Sequence, residues 1–442
     1  MPPRETELNE IESMDRDHVF GTWSKQRSVF PTEITDTDGV RFRTADGNEY
    51  LDFASQTVCT NLGFSAERVA DAVAETVRQT PFVKASYTTE SRARLGRKLA
   101  EITPGSLNKT LFSTSGTEAN EAAIKIAKAY TGKQKIMSRY RSYHGSTYGS
   151  ISVTGDPRRW SFEPGVPGAI KAPDPYSYGS TLEPDQTLDY IDEMLTLEGD
   201  SVAAILVETI VGSNGVLVPP DDYLGRLKTI AHDHDALLIC DEVMVGMGRT
   251  GEWFAVDHYD VTPDILTTAK GLSGAYVPLG ATVVSEEVAD HFEDETLVHG
   301  HTFSGHPVSC AAGLAAVETY QREEYIQRAR KMGAYLGDRL RSLADRHPSV
   351  GDVRGLGLYW GLELTRHPEK RAPFARRRAK ISEEQTVVDE VAEKAYREGV
   401  YIYSSMNTLM LTPPIPVTED DVDQAIAALD TALDISDGQM EA

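Results

Sequence analysis

"TLFSTSGTEANEAAIKIAKAYTGKQKIMSRY", residues 110–140, runs from a short apolar stretch through a glycine into an amphipathic segment and then into a second apolar stretch. In its middle, Ala119, Ala122, Ala123, Ile126, Ala127 and Tyr130 recur at three- and four-residue steps, the spacing of one helix face, and Gly132 supplies the stop. The flanks "TLFSTSG" and "KIMSRY" are too short for helices and read as strands. Strand, helix, strand is the unit from which parallel sheets are built, because parallel neighbours need a long crossover.

The alternation continues in "VAAILVE" (202–208), "ALLICDEV" (236–243), "DILTTAK" (264–270) and "LGATVVS" (279–285). These runs are short and mainly apolar without alternation, the mark of strands covered on both faces. The expected fold class is therefore α/β: a large domain with a mainly parallel sheet flanked by helices. After residue 305 the pattern becomes one long helical segment, "GHPVSCAAGLAAVETYQREEYIQRARKMGAYLGDRLRSLADRH", then a strand pair around "VRGLGLYWGLEL" and a late "TLMLTPP", which fits a smaller α+β domain. The expected boundaries are 1–55 for an N-terminal segment packing with the small domain, 56–304 for the large domain and 305–442 for the small one. The basic run "TRHPEKRAPFARRRAKISEE" (365–384) reads as an exposed excursion, since a charge run is usually a solvated face.

At 442 residues the chain exceeds one core, and 40% hydrophobic with 25% charged residues describes a soluble globular protein. A net charge of −24 repels phosphate backbones and anionic membranes, so neither nucleic acid nor membrane is an expected partner. Only 15 of the 44 basic residues are lysines; a carboxylate-rich, lysine-poor surface suits a salt-rich cytoplasm, which is a hypothesis about habitat. Cys59, Cys240 and Cys310 are scattered and odd in number, as in a reducing compartment. The polar start "MPPRETELNEIESMDRD" is no signal peptide and no apolar run approaches membrane length, so the expected location is cytoplasmic. Neither "HDHD" (232–235) nor His299 with His301 is expected to bind metal: the first closes a helix and the second flanks a motif discussed below.

In open α/β sheets chemistry gathers beyond the carboxyl ends of the strands, and reactive groups stand at three such ends. "SGTEAN" (115–120) opens the helix, so its N–H groups and hydroxyls form either an anion cradle or a plain N-cap by Ser115 or Thr117. "LLICDEV" (237–243) carries a strand into Asp241 and Glu242, which are a buried carboxylate in need of a cation or a surface acidic pair. "DILTTAK" ends in Lys270, alone between Lys228 and Lys331, either a desolvated amine able to attack a carbonyl or a lysine with its head in water. Together the three answer one ligand with an anion, a protonated ring nitrogen and an aldehyde: pyridoxal phosphate.

These residues resemble the class III, or ω-, aminotransferases, fold type I enzymes that use pyridoxal phosphate. The likeness is carried in order by "STSGTEANEAAIKIAKAYTG", "SYHGSTYGS", "VETIVGSNGVLVPP", "LLICDEVMVGMGRTGEWFAVDHYDVTPDIL", "TTAKGLSGAYVPLGA", "HGHTFSGHPVSCAAGLAAVE" and "VRGLGLYWGLEL". The resemblance implies that Lys270 is the lysine joined to the cofactor's aldehyde, that Asp241 partners the ring nitrogen, and that Val243 lies beneath the ring. It implies that Tyr143 stacks on the other face with His144 beside it, that Ser115, Gly116 and Thr117 meet the phosphate, and that Glu208 is the strand-end glutamate near the cofactor. Thr302 in "HGHTFSGHP" resembles a residue that reaches the phosphate of the neighbouring subunit, which implies a homodimer. The implied reaction is ping-pong amino transfer from a small-molecule donor to a 2-oxo acid acceptor.

Local wording is most similar to taurine and ω-amino acid:pyruvate aminotransferases, which implies an ω-amino acid, aminosulfonate or amine donor. The arginine that grips substrate carboxylates in relatives is matched by Met410, or by Tyr403, Ser404 or Ser405, and the pocket tryptophan of that branch by Val58. The pocket should be wider and its hold on a carboxylate weaker. Arg354 and Arg141 are left as carboxylate candidates, with a turn-stabilising role as the other reading of Arg354, and Trp23 is placed at the entrance. Aminomutases, racemases and decarboxylases share the fold and are the alternative outcome.

Overall fold

A computed structural model describes residues 8–382 and 384–441; residues 1–7 of the polar start, residue 383 of the basic run and residue 442 lie outside the described residues. At its centre is a seven-stranded sheet, ordered Leu107–Ser113, Gly280–Ser285, Ile265–Thr268, Leu237–Asp241, Val202–Glu208, Lys135–Arg139, Ala169–Ala172. The strands from Ile265–Thr268 to Ala169–Ala172 are parallel. Gly280–Ser285 runs antiparallel to both neighbours. Residues 269–279 connect it to Ile265–Thr268 without an α-helix, too short a path for a helical crossover, so the chain folds straight back.

The segment rich in alanine at helical spacing lies between two strands: Leu107–Ser113, the helix Gly116–Thr131 and the strand Lys135–Arg139 follow one another. Ser115 caps the helix by accepting the Glu118 N–H at 3.2 Å, and Gly132 ends it at φ 70°, where a side chain would be strained. The helix buries Ala119, Ala122, Ala123, Ile126 and Ala127 against the sheet. Val202–Glu208 and Leu237–Asp241 are buried at every position, as strands covered on both faces must be.

The long helical run after residue 305 is two helices, Pro307–Arg322 and Tyr325–Ala344, broken at Glu324, which takes φ 51°. The polar "QREE" at 321–324 offers nothing to bury, and packing partners change across it. Pro307–Arg322 lies on the helices Glu67–Gln79 and Glu90–Ile102, whereas Tyr325–Ala344 lies on an antiparallel sheet of Val350–Leu356, Tyr359–His367, Thr408–Leu411 and Tyr403–Ser405. A third sheet joins the chain ends: Ile34–Asp38, Arg41–Thr44 and Glu49–Asp52, the last pairing in parallel with Val400–Tyr401.

The basic run is exposed at most of its described positions, as its composition suggests, yet several of its cations are tied down on loop carbonyls. Arg377 donates to the carbonyls of Tyr140 (2.8 Å) and Gly155 (3.3 Å), Arg371 to those of Ser177 and Tyr178, and Lys380 to that of Ser213. Loop carbonyls beyond the carboxyl ends of the large sheet have no strand partners, and the strap's cations fill that need.

Candidate active site

Register brings the reactive strand ends together. Glu208 pairs with Asp241 and Asp241 with Thr267, so adjacent parallel strands deliver both carboxylates and, three residues on, Lys270 to one edge. They line a cavity of about 400 Å³ with Ser115, Gly116, Thr117, Asn120, Tyr143, His144 and Val243. Lys270 adopts φ 48°, an uncommon conformation for a residue with a Cβ, of the kind retained where function requires it. Burial pulls its ammonium below the usual lysine value, against the attraction of Asp241 and Glu208.

Asp241 and Glu242 are both buried, which removes the surface-pair reading. They do different work. Asp241 Oδ2 accepts from Asn120 Nδ2 (2.7 Å) and from His144 Nδ1 (2.8 Å), and Oδ1 accepts the Val243 N–H (3.0 Å). Asn120 is itself fixed by Thr267 Oγ1 at 2.8 Å and by the His144 carbonyl at 2.8 Å. Glu242 turns away from the cavity: it accepts from Thr209 Oγ1 (2.6 Å) and from the N–H groups of Ala255 and Val256 (2.9 Å each), and burial raises its carboxyl to about 7.

Glu208, raised by burial, accepts the N–H of Tyr143 at 2.9 Å and of Gly212 at 2.7 Å, so it fixes the backbone that presents the tyrosine ring. A Cβ on Gly116 would lie 2.7 Å from Val243 Cγ1, which explains why only glycine lets the helix start approach Val243.

Pyridoxal phosphate fits these residues. The opening N–H groups of the helix at Gly116 and Thr117 have no earlier turn to bond and suit a phosphate. Asp241 is an acceptor for a ring N–H, and His144 Nε2 is buried without a protein partner. Val243 and Tyr143 are neighbours suited to the two faces of a ring, and Lys270 is the one lysine on the cavity wall among the described residues.

The substrate-side candidates separate. Val58, at φ 58°, and Met410 are packed in one apolar cluster with Ile210 and Tyr359, and Tyr403 and Met244 pack against it; Ile210 and Met244 also line the cavity. Trp23 is 64% exposed and meets Tyr143 edge-on, with 6.3 Å between ring centroids. Thr302 is exposed and does not line this chain's cavity. Of the two readings of Arg354, its contacts favour the turn-stabilising one: its guanidinium reaches Asp352 (2.6 Å), Glu363 (2.6 Å) and the carbonyls of Gly215 and Val216, and it does not line the cavity. Arg141 is bound to Asp174 at 3.1 Å and stacks on Tyr176.

Sequence reasoning passes over Arg158. Its guanidinium carbon lies 3.9 Å from the Tyr143 ring centroid and 5.2 Å from that of Trp23; Asp156 holds it through Nε and Nη2, both at 2.9 Å. The available signal is the paired arginine of "GDPRRW", just beyond the Tyr143 motif.

The family model of class-III aminotransferases matches residues 22–433. An omega-aminotransferase of Caulobacter vibrioides is 35% identical over 421 residues, covering 90% of this chain and 92% of that protein. A leucine/methionine racemase of Thermococcus litoralis is 35% identical over 407 residues, covering 89% and 88%. The crystal structure of a taurine:2-oxoglutarate aminotransferase from Bifidobacterium kashiwanohense, in complex with PLP and glutamate, superposes with a TM-score of 0.94 at 35% identity, covering 99% of this chain and 100% of that one.

Proposed function

The chain belongs to the class-III aminotransferases, which use pyridoxal phosphate, and from that premise we propose that it moves the amino group of an ω-amino acid, aminosulfonate or amine to pyruvate or another 2-oxo acid. The observation that carries the reading is the convergence of Glu208, Asp241 and Lys270 on one cavity whose far wall is a helix N-terminus.

Bound pyridoxal phosphate supplies an aldehyde that exchanges amines and a ring that accepts the electron pair left when the substrate carbon loses its proton. The chain's residues do the rest. Asp241 keeps a proton on the ring nitrogen, because a buried carboxylate is neutralised most cheaply by a cation beside it. Asn120 and His144 fix Asp241's orientation. Lys270 Nζ, its proton affinity reduced by burial, takes the proton from the substrate carbon and returns it as acid. The N–H groups of Gly116 and Thr117, with the Ser115 and Thr117 hydroxyls, would hold the phosphate. Tyr143 and Val243 bound the slot for the ring on its two faces.

Arg158, beside Tyr143 and Trp23, replaces Arg354 as the cation available to an acidic substrate, and Val58 with Met410 and Tyr403 forms the apolar side of the pocket. The taurine:2-oxoglutarate aminotransferase likeness supports an acidic substrate. A homodimer in which Thr302 reaches the partner's phosphate site is part of this proposal, and the exposure of Thr302 and of apolar neighbours such as Val298, 84% exposed, and Phe303, 52% exposed, supports it. A cytoplasmic location is consistent with the free cysteines, and no helix among the described residues is long and apolar enough to cross a membrane.

A screen of donors against acceptors tests the reading. Alanine formed from pyruvate with loss of donor amine supports it. Loss of optical purity in an α-amino acid, without net transfer to any acceptor, assigns the chain instead to racemisation.

A further inference from the structure

The strap that closes over the sheet's edge brings in Lys380, whose ammonium pins it to the Ser213 carbonyl and has no carboxylate in contact among the described residues. It donates to the Ser213 carbonyl (2.5 Å) and to Ser405 Oγ. Ser405 lies two residues after Tyr403, which packs against the apolar cluster that shares Ile210 with the cavity wall, so the strap brings a cation to that side of the pocket.

Ser213 is the hub. Its hydroxyl accepts from Arg158 Nη2 at 2.9 Å, while its carbonyl accepts from Lys380 and from Ser405 Oγ (2.6 Å). Two cations are thus tied to one residue of the loop that follows Glu208, yet only Arg158 has a carboxylate partner, Asp156. Among the described residues no carboxylate lies within 4.0 Å of the Lys380 nitrogen. Burial brings that ammonium down to about 8, with Arg158 repelling it and Asp156, Glu208 and Asp389 attracting it, so it stays largely charged at neutral pH.

A second observation is independent of charge. Asn214, next to Ser213, is 4% exposed, and neither Nδ2 nor Oδ1 of its side chain has a protein partner. Buried amides are normally satisfied, so among the described residues both a cation with no carboxylate in contact and an unfilled hydrogen-bonding group stand at this loop.

We propose that Lys380, with Arg158 and Asn214 around Ser213, forms the subsite that takes the acidic head, carboxylate or sulfonate, of the substrate. This rests on the aminotransferase reading and gives its pocket a second cation drawn from the strap. A free cation desolvated beside a paired one favours an anion that arrives with its own charge, and the fork at Arg158 still has Nη1 to offer. An amine without an acid group leaves Lys380 uncompensated and gains nothing from it.

The test compares wild type, Lys380→Met and Lys380→Arg in the donor half-reaction with taurine, β-alanine and propylamine. The ratio of kcat/KM for an acidic donor to that for propylamine should fall about tenfold or more in Lys380→Met, mainly through KM, and Lys380→Arg should restore most of it. A loss for one acid and not the other names the head group the subsite takes. An unchanged ratio for both acids, whether all donors slow alike or none does, overturns the proposal, because a strap anchor would not discriminate. The non-reacting anions propionate and ethanesulfonate provide a reading that needs no turnover: at least one should raise the thermal midpoint of wild-type holoenzyme, and Lys380→Met should lose that rise. Absence of stabilisation in the wild type overturns the subsite even if the enzyme transaminates. A wild type that transaminates nothing but keeps a Lys380-dependent anion response defeats only the functional reading.

Discussion

Replacing Asp241 by Asn separates the two tasks that one buried carboxylate performs. Oδ2 accepts two hydrogen bonds and Oδ1 one, all at 2.7–3.0 Å, from Asn120 Nδ2, His144 Nδ1 and the Val243 N–H. An amide has one acceptor oxygen, so its NH₂ must face a donor whichever way it is placed. Leaving one buried donor unpaired costs about 1–3 kcal/mol of stability in the cofactor-free protein. The second cost is chemical: an adjacent carboxylate shifts the proton affinity of a cationic partner by about 1–3 pK units, or roughly 1.4–4 kcal/mol, which is about a 10- to 1000-fold loss in the rate of proton removal. Single-turnover mixing of holoenzyme with a donor, followed by cofactor absorbance, measures that rate directly. Thermal unfolding of the cofactor-free protein measures the first cost. A rate within about threefold of wild type would refute the assignment of Asp241, because no charge effect of the stated size could hide in it.

Arg354→Ala should destabilise the fold by about 3–5 kcal/mol, since it strands Glu363 and Asp352 near the sheet with no cation, while the relative preference among donors stays as in wild type; a selective loss of acidic donors by a still-folded variant would restore Arg354 to the pocket. Glu242 makes stability depend on pH in a stated direction. Burial raises its carboxyl from 4.5 to about 7 in the folded chain, so the fold binds that proton more tightly than the unfolded chain does, and this favourable contribution is full below the unfolded value and is lost as pH rises through about 7. The loss is about 3 kcal/mol, and the difference in thermal midpoint between wild type and Glu242→Gln should slope across about pH 5–8; parallel curves would contradict it.

The strands and the helix after Gly116 are legible in the sequence because burial on both faces and a three-to-four-residue step are local properties. Lys270, Asp241 and the helix start can be joined from the residues alone because each stands where an apolar strand gives out. Residues carried in by distant loops are not legible. Arg158 and Lys380 meet only at Ser213, 55 and 167 positions away from them, and no local pattern relates them. The first strands escape notice since Ile34–Asp38 is exposed at every position and shows no alternation. Arg354 is open to better reading: once "VRGLGLYWGLEL" is taken as a hairpin, Asp352 lies on Arg354's own face and Glu363 pairs with Asp352 across the strands, so carboxylates wait for that guanidinium without any substrate.

The most direct measurement is to reduce the holoenzyme with borohydride, digest it and find by mass spectrometry which lysine carries the cofactor. The account predicts a single modified peptide containing Lys270, and none from Lys270→Ala. Modification at another lysine, or undiminished labelling of the Lys270→Ala protein, would contradict it.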